Sequence, residues 1–180
     1  MDLTVQFWRV LVDWLVHFLE FSMTHLQNGE IFPSLELSVA GGGALQIPQS
    51  LQGSYGVVLI YRGAWCPFCQ VQLAGFQRVS EKLAETGIKV VALSVDDEVT
   101  TLGTIEKFKL GFPVGHSADA DAVAAATGAY TNAEPHYLQT TGFLLDPEGR
   151  VLNAVYASGP IGRLVAEDVI GMVTYLKSKA

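Results

Sequence analysis

Outside one closely spaced pair, Cys66 and Cys69, the 180-residue sequence contains no cysteine. A framework of structural disulfides is therefore excluded. A pair confined to one motif suits a reducing compartment, where it cycles rather than staples, so the expected location is cytoplasmic. Basic residues are also scarce: 11 Lys and Arg against 18 Asp and Glu give a formal net charge of −7. Phosphate binding needs a basic surface, so nucleic acid is not an expected partner. Charged residues make up only 16% of the chain against 49% hydrophobic, which excludes disorder and predicts a single domain with a substantial core.

Recognisable cofactor motifs are missing too. There is no P-loop, no GxGxxG fingerprint and no HExxH. The Gly41-Gly42-Gly43 run lacks a strand-then-helix setting and reads as a hairpin turn. No cofactor is expected, and reducing equivalents must come from another protein or a small thiol.

What is present begins with an apolar N-terminal stretch. Over residues 3–27, Gln6, Arg9, Asp13, His17, Glu20 and Thr24 recur at steps of three and four, a single polar stripe on a predicted amphipathic helix. Phe7, Trp8, Leu11, Trp14, Leu15, Phe18 and Phe21 fill the remaining circumference, a wide apolar arc that needs a partner. The stretch lacks the long uncharged run of a membrane span. Asp2 in place of a basic start, with no small-residue cleavage site, argues against a signal peptide. An interfacial helix is usually rich in Lys and Arg, and this one has only Arg9, so docking of a second copy, or packing on the domain itself, is favoured over a membrane surface. Residues 1–27 are expected to form this docking helix, or, if the chain starts at Met23, residues 1–22 are a non-native extension; residues 28–180 form the main domain.

The most informative segment is Gly56-Val57-Val58-Leu59-Ile60-Tyr61-Arg62-Gly63-Ala64-Trp65-Cys66-Pro67-Phe68-Cys69. A buried strand ends in a short turn, and a helix opens on CxxC, the setting of a redox dithiol. Pro67 fits the first helical position. Cys66 then sits at the helix mouth, where unpaired N–H groups and the positive dipole end stabilise a thiolate, making it the expected low-pKa, solvent-reachable nucleophile. Cys69, three residues on, shares the helical face and is the expected resolving cysteine, the less exposed of the two. Two other readings exist. Buried free cysteines occur in cores, and a zinc site would need two more ligands, for which His17, His25, His116 and His136 show no suitable spacing.

The rest of the pattern predicts a hairpin over 35–47, strands at 55–61 and 88–95, and a helix running from Cys66 to Thr86. A helix at 99–109, a short strand at 112–115 and a helix at 120–127 capped by Asp119 follow. A hairpin over 141–157 and a helix over 163–178 close the chain. This is an α/β sandwich around a central mixed sheet. The segment Gly128–Thr141 is expected to rim the site, with His136 as the one histidine placed to approach the cysteines, or else an ordinary surface histidine.

Residues from about 28 to 178 resemble the peroxiredoxin-like branch of the thioredoxin superfamily, the group related to alkyl hydroperoxide reductase and thiol-specific antioxidant. The resemblance rests on Tyr61 to Cys69 with Gln72-Leu73, on Ala92-Leu93-Ser94-Val95-Asp96, on Gly111-Phe112-Pro113, and on Gly142 to Val151. It implies a thioredoxin-like fold and an antioxidant thiol oxidoreductase that reduces peroxides, with an external thiol or thioredoxin-type protein as reductant. The departures are specific. Peroxiredoxins typically carry Pro and Thr seven and three residues before the reacting Cys; before Cys66 these places hold Leu59 and Gly63. Thioredoxins place a buried acid six residues before the first Cys, here Ile60, and a cis-proline at a slot that falls here on Thr140 or Thr141.

The leading expectation is thus a thiol-dependent peroxidase acting through Cys66 and Cys69. Arg62 would lower the Cys66 pKa and stabilise the leaving oxygen, or be a solvated strand-end cation; Trp65 would shield the sulfur; Thr140 or Thr141 would bond to substrate, or merely start a strand. The alternative is a thiol-disulfide reductase using the same two cysteines on protein or small-molecule disulfides. A reading from a different class is a membrane-surface or partner-docking redox module whose specificity lies in the N-terminal helix.

Overall fold

The computed structural model describes residues 25–179. A seven-stranded mixed sheet organises them, in the order β2-β1-β5-β4-β3-β8-β9. Its strands are β1 (Leu35–Val39), β2 (Ala44–Ile47), β3 (Tyr55–Ile60), β4 (Ile88–Leu93), β5 (Val114–His116), β8 (Thr141–Leu145) and β9 (Val151–Tyr156). A separate two-stranded ribbon pairs β6 (Thr131–Asn132) with β7 (Tyr137–Leu138). Strands β3, β4 and β5 run parallel, while β8 pairs antiparallel with both β3 and β9.

Strand β3 is central and apolar throughout, as a strand covered on both faces must be. Its side chains alternate: Val57 and Leu59, followed by Tyr61, enter one core, and Val58 and Ile60 enter the other. The first core is closed by helix α1 (Pro67–Arg78), α2 (Ser80–Glu85), α3 (Glu98–Phe108) and α5 (Ala166–Lys177), through Leu73, Phe76, Leu83, Ile105, Val169, Ile170 and Val173. The second is closed by α4 (Ala120–Thr127) through Val123 and Ala124. The expected α/β sandwich is the observed architecture.

Local chemistry explains most boundaries. Asp97 caps α3 by accepting from Thr100 N–H at 2.8 Å, and Asp119 caps α4 by accepting from Asp121 and Ala122 N–H at 3.0 Å each. Helix α4 ends on Gly128 in the left-handed conformation, φ 77°. Two expectations need correction. The helix expected to run unbroken from Cys66 to Thr86 is interrupted at Val79, whose φ/ψ of −109°/22° ends α1 before α2 begins. Val79 and Leu83 both still pack on the first core, so the apolar spacing continues across the break and conceals it. The N-terminal helix was expected to reach residue 27, yet residues 25–27 are not helical. There the Leu26 N–H donates to the Tyr156 hydroxyl at 2.8 Å, and the His25 ring packs 4.2 Å from Tyr156. The rest of that helix, the polar stripe and the 1–27 boundary lie outside the described residues.

Candidate active site

The turn between β3 and α1 builds the site. After Tyr61, whose N–H still bonds Leu93 O at 3.0 Å, the chain turns through Gly63 at φ 147°, a conformation that suits glycine. Asp96, from the end of the neighbouring strand β4, accepts the Ala64 N–H at 2.7 Å and the Ser94 hydroxyl at 3.0 Å, which pins the turn. Cys66 takes the N-cap position with extended φ/ψ and Pro67 is the first helical residue, as the motif predicts. Its carbonyl accepts from Gln70 N–H at 3.0 Å, the first bond of α1.

Both cysteines are free thiols and both are completely buried. The expectation of a solvent-reachable Cys66 therefore fails for this state. The Arg62 guanidinium lies against its sulfur, with Nη1 3.9 Å from Sγ, and is stacked 4.7 Å from the Trp65 ring and 5.2 Å from the Tyr137 ring. Trp65 and Tyr137 meet edge to face at 5.2 Å. Arg62 thus lies between the sulfur and the two rings it stacks with, and of these three side chains only Trp65 is widely exposed, at 55%.

The electrostatics separate the two sulfurs. Burial pushes the Cys66 thiol up, but hydrogen bonds from the Cys69 thiol and N–H, together with Arg62, outweigh it and hold Cys66 below the ordinary thiol value. Burial pushes Cys69 up, and the shared bond with Cys66 adds to this; the Arg62 N–H and the Arg163 side chain oppose it without prevailing. Cys66 is thus the more acidic sulfur of the pair and Cys69 the less acidic.

Thr140 and Thr141 divide. Thr140, fully buried, brings Oγ1 to 4.0 Å from Cys69 Sγ. Thr141 opens β8, and its hydroxyl is buried without a hydrogen-bond partner among the described residues. His136 stays outside: its ring pairs with Asp121 at 3.2 Å and with Asn132 O at 3.1 Å on the surface. The next residue, Tyr137, opens β7 and is the one the β6–β7 ribbon delivers to the site, whereas His136 is still in the turn before it. Sequence reasoning placed Tyr137 in the rim segment without a role and missed the roles of Asp96 and Arg163. Asp96 carried a signal, following a buried strand adjacent to the one that feeds the motif. Among the described residues no group of three or more metal-ligating side chains gathers.

The AhpC/TSA family model matches residues 28–154, well over half of the chain. The chain belongs to the AhpC/TSA family. A peroxiredoxin of Treponema denticola is 31% identical over 147 residues, covering 78% of this chain and 69% of that one. A second, from Methanothermobacter thermautotrophicus, is 28% identical with the same coverage. The thiol-disulfide oxidoreductase ResA of Bacillus cereus is 25% identical over 131 residues, covering 72% of this chain and 70% of its own. Among solved structures, the Mycobacterium tuberculosis peroxidoxin BcpB superposes with a TM-score of 0.73 at 19% identity, covering 84% of this chain and 99% of that one. AhpC of the same organism gives 0.73 at 18% identity, covering 87% and 96%. This AhpC/TSA member is a peroxiredoxin-like thiol oxidoreductase with a thioredoxin-type fold.

Proposed function

We propose that this AhpC/TSA protein reduces peroxides through Cys66 and Cys69. The observation that carries the reading is the Arg62 guanidinium held against the Cys66 sulfur, in a site where that sulfur is already the more acidic. The Cys66 thiolate attacks one peroxide oxygen; the O–O bond breaks, Cys66 becomes a sulfenic acid, and the departing alkoxide or hydroxide takes a proton. Arg62 stabilises the negative charge as it moves from sulfur to the leaving oxygen. Cys69 then attacks the sulfenic sulfur, forming the disulfide and releasing water. Two equivalents of an external thiol, or a thioredoxin-type dithiol, restore the pair. Because both sulfurs are buried and Arg62 lies against Cys66, the Arg62 side chain or its neighbours must shift to admit substrate.

Gly63 occupies the place where the family resemblance leads one to expect Thr. A Cβ there would lie 2.5 Å from Trp65 Nε1, so the indole occupies the space of the missing side chain. The CxxC at a helix mouth and the likeness to ResA favour a second reading, disulfide reduction through a mixed disulfide with Cys66. Turnover of hydrogen peroxide and an alkyl hydroperoxide, set against insulin reduction, separates the two. Peroxide consumption no greater than that of Cys66→Ser would overturn the first.

The cytoplasmic setting and self-association through residues 1–27 belong to the same reading. No helix among the described residues is long and apolar enough to cross a membrane. Light scattering of the full chain and of residues 23–180 tests the self-association: equal masses would overturn it. Co-sedimentation with liposomes tests the membrane alternative.

A further inference from the structure

Each sulfur of the pair has its own arginine, and only one of them lies near the motif in sequence. Arg163, in the loop before α5, donates from Nη2 to Thr140 Oγ1 at 3.3 Å and to the Pro160 carbonyl, and from Nη1 to Gln72 Oε1 at 3.4 Å. Gln72 is buried on α1, three residues beyond Cys69 and on the same helical face, and its Nε2 donates to Leu164 O at 3.0 Å. The loop and the helix are therefore laced together at Cys69.

A guanidinium has donors only, so Thr140 Oγ1 must accept from Arg163. The hydroxyl proton is then free for its remaining neighbour, Cys69 Sγ at 4.0 Å, and Thr140 has no access to water. We propose that Arg163 is a positioning residue for Cys69: it fixes the Thr140 hydroxyl with its proton toward that sulfur, favouring Cys69 as an anion. This rests on the reading of Cys69 as the resolving cysteine. The anion is needed twice. Cys69 must lose its proton to attack the Cys66 sulfenic sulfur, where the S–S bond forms, the S–O bond breaks and the departing hydroxide is protonated to water. When an external thiolate later attacks Cys66, the S–S bond breaks and Cys69 leaves as thiolate.

The other groups facing Cys69 oppose or duplicate this role. Burial and Cys66 disfavour the anion, Tyr61 ionisation would disfavour it further, and the Arg62 main-chain N–H favours it. Arg163 is the side-chain cation that favours it.

The test uses Cys66→Ser, in which Cys69 is the sole thiol, and follows thiolate absorbance at 240 nm against pH. Adding Arg163→Ala or Thr140→Val should move the midpoint upward and lower the thiolate fraction at a fixed pH beneath it by about threefold or more. Arg163→Lys should recover part of the loss. In the two-cysteine protein, Arg163→Ala should leave sulfenic acid formation unchanged while slowing disulfide formation, with the deficit shrinking as pH rises. Unchanged midpoints in both variants overturn the inference. A midpoint that moves with Arg163→Ala and not with Thr140→Val overturns the route through the hydroxyl. A wild type that forms no disulfide with peroxide overturns the functional reading instead, and leaves the titration to decide this one.

Discussion

The Arg62 Nη2 donates to the Tyr137 hydroxyl across 2.7 Å, joining residues 75 positions apart in the chain. The bond fixes one edge of a guanidinium whose other amine reaches Cys66, so the orientation of the cation depends on a tyrosine from a separate ribbon. Arg62→Ala should raise the Cys66 pKa and slow reaction with peroxide or iodoacetamide near neutral pH by about tenfold, the scale for losing an adjacent opposite charge. Tyr137→Phe keeps the ring stack and loses the bond, so its effect should be smaller and in the same direction. The pH profile of alkylation, read peptide by peptide, checks both. A Cys66 profile unaltered by Arg62→Ala would remove Arg62 from the mechanism.

Exchange of Cys69 for Ser should leave attack on peroxide nearly intact and halt the cycle after one event. Attack requires the Cys66 thiolate and Arg62, and the serine hydroxyl and N–H can still donate to that thiolate, whereas resolution requires the second sulfur. The chain has no third cysteine to substitute for it. Intact mass after one equivalent of peroxide should show one added oxygen in the variant and the loss of two hydrogens in wild type. Wild-type dimers linked Cys66 to Cys66 would show that Cys69 is not the resolving residue.

Much of this arrangement was legible in the sequence because its determinants are local. The run Val57–Ile60 is apolar at every position, Pro67 follows Cys66 directly, and Asp119 precedes its helix, so strand, helix mouth and cap could each be read from a few adjacent residues. The contacts that complete the site are not local. Tyr137 reaches Arg62 only because two short strands pair at Thr131 to Leu138, too short to leave an alternating pattern. His136 was the more conspicuous residue by chemistry, yet it lies in the exposed turn before β7, facing Asp121 and solvent. Arg163 lies 91 positions from Gln72 and depends on how the last loop crosses α1. The break at Val79 was hidden because the apolar stripe persists through it.

Gly63 occupies the place where the family resemblance leads one to expect Thr, and introducing Thr there should harm the protein. The backbone there has φ 147°, and the new Cβ would meet Trp65 Nε1 at 2.5 Å and Asp96 Oδ1 at 3.0 Å. Moving the indole disturbs its stack on Arg62, and moving Asp96 disturbs the bond that pins Ala64. Gly63→Thr should cost about 1–3 kcal/mol in urea unfolding and reduce turnover. A variant as stable and active as wild type would mean that the turn can adopt another path.

Tyr61 gives an alkaline signature. Its hydroxyl is buried with Ser94 and Thr101 nearby but with no hydrogen-bond partner among the described residues, and burial pushes its pKa up to about 12 from 10.0. Above pH 10 the unfolded chain loses this proton while the folded chain keeps it. The unfolded state then binds fewer protons, so folding stability is intact below pH 10 and falls as pH rises toward 12. The difference is worth at most about 2–3 kcal/mol by the top of that window. Tyr156 is also raised to about 12, chiefly by burial, but it is partly exposed and solvent screening reduces its share. Tyr61→Phe removes both the titration and an unpaired buried hydroxyl, so it should match or exceed wild-type stability at pH 7. Between pH 10 and 12 its unfolding free energy should decline less steeply than that of wild type, as urea titrations at each pH would record. Parallel declines in the two proteins would show that Tyr61 ionises in the folded state as readily as in the unfolded chain.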